Sequence, residues 1–95
     1  SFLRNEWEKQ LNIWDETWEN CYWDEGDSGK KKSDVYAIGS ANYIPVKPNT
    51  NYYFTSETAG FIWVLFFSNN QTYITARNFT TKSAFSTPTN CEYIT

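Results

Sequence analysis

The sequence predicts an all-β domain folded as an antiparallel β-sandwich or barrel, and three observations carry this prediction. Aromatic residues make up 20% of the 95-residue chain, and aromatic side chains favour strands. Short apolar segments alternate with turn residues at intervals of about eight to twelve residues. No helical pattern of useful length interrupts these segments.

The N-terminal residues are set apart from the rest of the chain by their mixed composition. Residues 1–10 combine apolar and charged side chains without a clear period, so we interpret them as a linker, a short helix or the end of a preceding segment. Residues 11–95 then form one domain, a normal size for a single module. The chain starts at Ser1 and stops at Thr95 inside a predicted strand, which we interpret as a fragment of a larger protein.

The first part of the domain contains two segments with a clear local signal. Residues 18–23 alternate in side-chain character and favour a strand. The Gly- and Asp-rich residues 24–29 favour a turn. Residues 30–33 continue from it as an exposed stretch, and residues 35–38 form a short apolar run.

Prolines define the next two segments. Residues 42–46 predict an edge strand, because Pro45 has no N–H to donate to a central ladder. Residues 47–50 predict a turn. Pro48 presets its backbone angle there, and Asn49 can close it with a side-chain hydrogen bond.

The longest apolar run in the chain is Phe61–Phe67. It predicts a central strand, with Trp63 or its neighbours Ile62 and Val64 in the core. We assign Trp63 to the core in particular, because its strand is the most apolar. The remaining predicted segments are a strand at 52–56, a hairpin turn at 68–71, a return strand at 72–74, a turn at 87–90 and a last strand from residue 91.

Composition argues against several classes of function. The net charge is −3 and the only basic run is Lys30–Lys32, which argues against nucleic acid as a partner. The apolar runs are far shorter than the roughly 20 residues that span a bilayer, so we expect no membrane insertion. The chain has no His, the commonest general base, so we expect a protein that is not an enzyme.

Cofactors are not expected either. Two Cys without His make a zinc site improbable, and we expect Cys21 and Cys91 to be buried thiols in preference to a disulfide. Asp24 and Asp27, with the carbonyl groups nearby, could offer oxygen ligands to a structural calcium ion. Their spacing matches no EF-hand loop, so a plain hairpin turn is the favoured interpretation.

Four segments resemble a module of tail and baseplate proteins from phages and prophages of Gram-positive bacteria. The most specific is Tyr43–Phe54, which reads YIPVKPNTNYYF and matches the family's YIPVKPNT-x-Y-x-F signature. Residues 64–74 and 84–94 resemble the middle and closing elements, and residues 14–22 resemble the family's W-D-x-x-W-E-x-G-x-Y opening. Cys21 replaces the glycine usual in that opening, and the closing strand stops early.

The resemblance implies a jelly-roll fold like that of carbohydrate-binding modules. It also implies a non-catalytic role in which a phage tail or baseplate protein adheres to cell-surface polysaccharide. The expected location is the virion or the cell surface, with other tail or baseplate subunits as further partners. The alternative is a structural or assembly domain of the same particle that binds no glycan.

Candidate sugar-contacting residues lie in the acidic stretch near the N-terminus. The chain has more aromatic rings than a small core needs, so some should lie on the surface, where flat apolar faces suit sugar rings. Neighbouring carboxylates and amides could bond sugar hydroxyls. The candidates are Trp14, Trp18, Trp23, Tyr22 and Asp24.

Overall fold

The structure is a computed structural model that describes residues 2–5, 12–56, 60–80 and 82–95. Strands dominate these ranges, a single 3-10 turn spans Glu25–Asp27, and the described residues contain no α-helix. The all-β prediction is therefore confirmed. The strands are β1 (Phe2–Asn5), β2 (Trp18–Glu19), β3 (Cys21–Asp24), β4 (Lys30–Ser33), β5 (Gly39–Ser40), β6 (Ile44–Pro45), β7 (Asn51–Thr55), β8 (Phe61–Phe67), β9 (Tyr73–Thr80), β10 (Ser83–Ser86) and β11 (Tyr93–Ile94).

All strand pairs are antiparallel. A three-stranded sheet has the order β1-β7-β10, and a four-stranded sheet has the order β6-β11-β8-β9. Two small sheets, β2-β5 and β3-β4, complete the described part of the chain.

The main core lies between the three-stranded and the four-stranded sheet. Tyr52 and Phe54 alternate along β7 toward this core, and Val64 and Phe66 do the same along β8. This two-residue period is what a strand with one buried face requires. The other buried members of the cluster are Leu3, Trp14, Ile44, Phe85, Cys91 and Ile94.

A second aromatic cluster covers part of the opposite face of the four-stranded sheet. The Phe67 ring lies 5.0 Å from Tyr43, 5.9 Å from Tyr73 and 6.1 Å from Trp23. The β3-β4 turn closes over this cluster at Gly29, whose φ is +73°. A Cβ atom there would lie 2.7 Å from the Phe67 ring, so only glycine fits.

The proline-rich segment adopts the predicted turn. Asn49 has a φ of +50°, and its Oδ1 accepts a hydrogen bond of 3.1 Å from Thr89. The buried Thr87 hydroxyl donates to the Lys47 carbonyl at 2.6 Å and accepts from the Thr50 N–H at 3.0 Å. These bonds join the turn to the segment that precedes β11. Pro45 lies in β6 at the edge of its sheet, as predicted.

One strand prediction for the C-terminal half was confirmed only in part. Phe61–Phe67 is a central strand, and its Val64 is buried as expected. Trp63, however, is 52% exposed, so its assignment to the core was wrong. Its side chain points to the sheet face opposite Val64, and the second aromatic cluster covers only the other end of that face.

The N-terminal residues also differ from the prediction. Residues 2–5 form β1 and pair with β7 from Phe2↔Thr55 to Asn5↔Tyr52, so this part of the expected linker belongs to a sheet. Residues 6–10 lie outside the described residues. The predicted strand at 18–23 is interrupted at Asn20 and divides into β2 and β3, which pair with different partners.

Both cysteines are buried free thiols, in agreement with the favoured interpretation. Burial raises the pKa of each thiol. In the described residues, we find no helix with the length and apolar character needed to cross a membrane.

Candidate functional site

A cavity of about 500 Å³ opens where β2, β3 and β5 approach the N-terminal half of β8. We call it the aromatic groove, because the rings of Trp14, Trp18, Tyr22, Trp23, Phe54, Phe61, Trp63 and Phe85 line it. The structure therefore brings four of the five predicted site residues together on one cavity, and it adds Trp63 and Phe61.

Trp14 and Trp18 form a perpendicular pair in the groove, with ring centroids 4.5 Å apart and planes at 75°. Trp14 is buried in the main core, whereas Trp18 is 46% exposed. The edge-to-face contact therefore lets the fixed Trp14 ring support the exposed Trp18 ring.

The backbone around these two rings is fixed by local hydrogen bonds. Asn12 Oδ1 accepts from the backbone N–H groups of Leu3 and Trp14, each at 3.1 Å. Trp18 pairs with Ser40 in the β2-β5 ladder. Strand β5 also passes close to β3. A Cβ atom on Gly39 would lie only 2.9 Å from the Cys21 carbonyl oxygen.

Tyr22 and Trp23 are consecutive residues of β3 and have different environments. Tyr22 is 40% exposed. The Trp23 indole N–H donates to the Ser40 carbonyl at 2.9 Å, and the ring packs on Tyr43 at 5.0 Å. Lys31 Nζ lies 5.7 Å from the centre of the Trp23 ring. Trp23 therefore contributes a wall of the groove, but its polar edge is already occupied.

Asp24 does not line the groove. Its Oδ1 accepts from the Gly26 N–H at 2.9 Å, and its Oδ2 lies 2.8 Å from Lys32 Nζ. The Lys32 ammonium group holds the pKa of Asp24 below its ordinary value. In the structure this carboxylate closes the turn after β3, and it does not join the four aromatic candidates.

The position of Lys32 is also relevant to the possible calcium site at Asp24 and Asp27. Its Nζ lies 2.8 Å from Asp24 and 3.0 Å from Asp27, so a lysine bridges the two carboxylates that would bind the ion. Both carboxylates raise the pKa of Lys32, since they stabilise its charged form. In the described part of the chain, no group of three or more Asp, Glu, Cys or His is arranged to hold a metal.

Two residues that line the groove carry buried hydroxyl groups. Ser40 Oγ and Thr95 Oγ1 are buried and have no hydrogen-bond partner among the described residues. A buried hydroxyl without a partner costs free energy, about 1–3 kcal/mol. Glu25 adds an exposed carboxylate to the same lining.

The sequence indicated the Trp-rich acidic stretch but missed the opposite wall of the groove. Phe61 and Trp63 are two residues apart in an uninterrupted apolar run, and nothing in that run distinguishes an exposed face from a buried one. Ser40 carries no signal in the sequence, because its role depends on the pairing of β5 with β2.

Comparisons of the chain with protein-family models, with curated proteins and with solved structures find no match.

Proposed function

We propose that the protein is a non-catalytic carbohydrate-binding module and that its ligand binds in the aromatic groove. The observation that carries the proposal is the set of exposed rings on one cavity: Trp18, Tyr22 and Trp63 are 46%, 40% and 52% exposed, and all three line the groove. Sugars present both apolar ring faces and hydroxyl groups. Such a ligand can stack on the rings and bond the exposed Glu25 carboxylate at once.

Each wall of the groove has a distinct role in this proposal. Trp18 and Trp63 are the exposed rings on which sugar rings stack, and Tyr22 adds a third ring with a hydroxyl group. Trp14 holds Trp18 in place through its perpendicular contact. Glu25 accepts hydrogen bonds from sugar hydroxyls at the rim.

The resemblance of Tyr43–Phe54 to tail and baseplate modules supplies the biological setting of the proposal. In that setting the module is a jelly-roll domain that adheres to cell-surface polysaccharide, either on the virion or at the cell surface. Each neutral hydrogen bond contributes only about 0.5–1.5 kcal/mol net, so a single module binds weakly. Many copies on one particle would then provide useful adhesion.

Titration of Gram-positive cell-wall polysaccharide, preceded by a glycan array to select it, tests the proposal. We expect Trp18→Ala and Trp63→Ala each to remove most of the binding while the fold is retained. Tyr36→Ala is the matched control, because Tyr36 is 95% exposed and lies outside the groove lining. Binding that survives both Trp substitutions would place the site elsewhere.

A structural or assembly domain is the second candidate function, and one surface favours it. Val35, Tyr36 and Ile38 form an apolar loop and are 78%, 95% and 71% exposed. Exposed apolar side chains in a cluster mark surfaces that other proteins cover. If the unmodified protein binds no polysaccharide in the titration, this second function becomes the better account of the molecule.

A further inference from the structure

The charged side chains that line the aromatic groove are of one sign only. Glu25 is exposed in the 3-10 turn after β3, and its carboxylate has no ion-pair partner among the described residues. Its acidic neighbours Asp24 and Asp27 are neutralised by Lys32, at 2.8 and 3.0 Å. Among the described residues that line the groove, none is a lysine or an arginine. The described lining therefore carries a negative charge without a positive one beside it.

The rings in the same lining attract the same sign of charge. Trp18, Tyr22 and Trp63 are each between 40% and 52% exposed and line the groove together with Glu25. The face of an aromatic ring is the negative end of its quadrupole, so it attracts a cation within about 6 Å of the ring centre, and an indole does so best. Two of the three exposed rings are indoles. Rings and carboxylate thus favour one kind of ligand group, a cation.

One wall of the groove already holds a cation in this way. Lys31 Nζ lies 5.7 Å from the centre of the Trp23 ring. The same Nζ lies 2.8 Å from the Glu19 carboxylate and donates to the Ala41 carbonyl at 2.7 Å. A ring and a carboxylate therefore bind this ammonium group together. Glu25 and the exposed rings repeat that combination inside the groove.

A neutral sugar makes little use of this lining. Sugar hydroxyls need both donors and acceptors, and no described lining residue has an amide or a basic side chain. The Trp23 indole N–H is already bonded to the Ser40 carbonyl. The exposed polar groups that face such a ligand are therefore few, with Glu25 and the Tyr22 hydroxyl among them. A ligand with a positive charge gains from the rings and the carboxylate at once.

We propose that the saccharide bound in the aromatic groove carries a positively charged ammonium group. This group lies against the exposed ring faces of Trp18, Tyr22 and Trp63, with the Glu25 carboxylate as its counter-ion. The inference rests on the proposed function, since it names the chemical class of the ligand at that same site. A protonated amino sugar and a quaternary ammonium substituent both supply the cationic nitrogen.

Two pairs of small probes test the charge without altering the protein. Choline is compared with the uncharged alcohol in which a carbon atom replaces its nitrogen, and glucosamine is compared with N-acetylglucosamine. Each probe is titrated while the indole N–H signals of Trp18 and Trp63 are followed by NMR. We expect the charged probe to bind at least about fivefold more tightly than its uncharged partner. A preference in the first pair alone identifies a quaternary ammonium group, and one in the second pair alone identifies an amino sugar. Equal Kd values within both pairs overturn the proposal.

A substitution at Glu25 then tests the counter-ion. Glu25→Gln removes the charge and keeps the size of the side chain, so the preference for the charged probe should fall. Binding of the uncharged probe should stay the same. Glu92→Gln is the matched control, because Glu92 is also exposed and lies outside the groove lining, and its loss changes the net charge equally. Equal losses in the two variants overturn the role of Glu25.

Competition with polysaccharide separates this inference from the proposed function. If the protein binds polysaccharide, saturating choline or glucosamine should displace it from the groove. Polysaccharide that neither probe displaces overturns the ammonium inference and leaves the proposed function standing. A preference for the charged probe in a protein that binds no polysaccharide supports the ammonium site and overturns the saccharide function.

Discussion

Asp24 shows how one side chain can serve the fold where the sequence suggested a binding role. Its two oxygens are used by Gly26 and Lys32, at 2.9 and 2.8 Å. The ion pair is partly exposed, so it fixes the geometry of the turn more than it adds stability. This turn also places Gly29 over the Phe67 ring.

The lowered pKa of Asp24 predicts a specific pH dependence. A carboxylate whose pKa is lower in the folded state stabilises the fold above its ordinary value of 3.8. That contribution is lost as the pH falls through the lower, folded-state value. Asp24→Asn should therefore reduce the free energy of unfolding near neutral pH, and the difference should disappear in acid.

Denaturant unfolding measured across this pH range checks the prediction. Asp34→Asn is the matched control, because Asp34 also accepts a hydrogen bond from the backbone two residues on, at 2.9 Å, but has no lysine partner among the described residues. If the difference in unfolding free energy between the Asp24 variant and the unmodified protein stays constant down to strong acid, the stabilising role assigned to the charged Asp24 is contradicted.

Strand β8 is the element on which both the core and the groove depend. Its even-numbered side chains Val64 and Phe66 pack into the main core, whereas Trp63 and Phe61 lie on the opposite face and are exposed at the groove. Successive side chains of a strand point to opposite faces, so one apolar run can supply both the core and an exposed face.

Two alanine substitutions on β8 should therefore have very different effects. Phe66→Ala removes a fully buried ring and should cost about 3–5 kcal/mol of unfolding free energy, enough to unfold much of so small a domain. Trp63→Ala should change stability by about 1 kcal/mol or less, because Trp63 lies outside the core and is about half exposed. Thermal and denaturant unfolding of both variants provide the measurement. Similar losses for the two would contradict the assignment of faces.

Strand β8 also marks the limit of sequence-based prediction. The run Phe61–Phe67 was predicted with correct ends and as a central strand, because its length and composition suffice for that. Which of its faces is covered depends on where the β3-β4 hairpin packs, and this tertiary contact leaves no signal within the run.

Among the other elements, those that depend on residues close in the sequence were predicted, and those that depend on pairing with distant strands were missed. The turns at 24–29 and 47–50 follow from Gly, Asp, Pro and Asn, whose conformational preferences act within a few residues. Strands β1 and β10 were missed, because both are defined by their pairing with β7 and have little pattern of their own.

At the scale of the whole molecule, most of the described aromatic side chains lie in two packed clusters and along one groove, whereas Tyr36 lies in an exposed loop. The prediction that some rings lie on the surface is confirmed by the exposure of Trp18, Tyr22, Phe61 and Trp63. The sequence identified one side of the groove only, since its two walls come from segments about forty residues apart that meet through the fold.

The most direct test of the proposed groove is to observe its tryptophans while saccharide binds. Indole N–H signals in a two-dimensional NMR spectrum of the protein can be assigned by single Trp substitutions. With the polysaccharide fragment selected by the glycan array, we expect the largest shifts at Trp18 and Trp63. The Trp23 signal should move little, because its N–H is bonded to Ser40. Unchanged Trp18 and Trp63 signals at saturating saccharide would contradict the account.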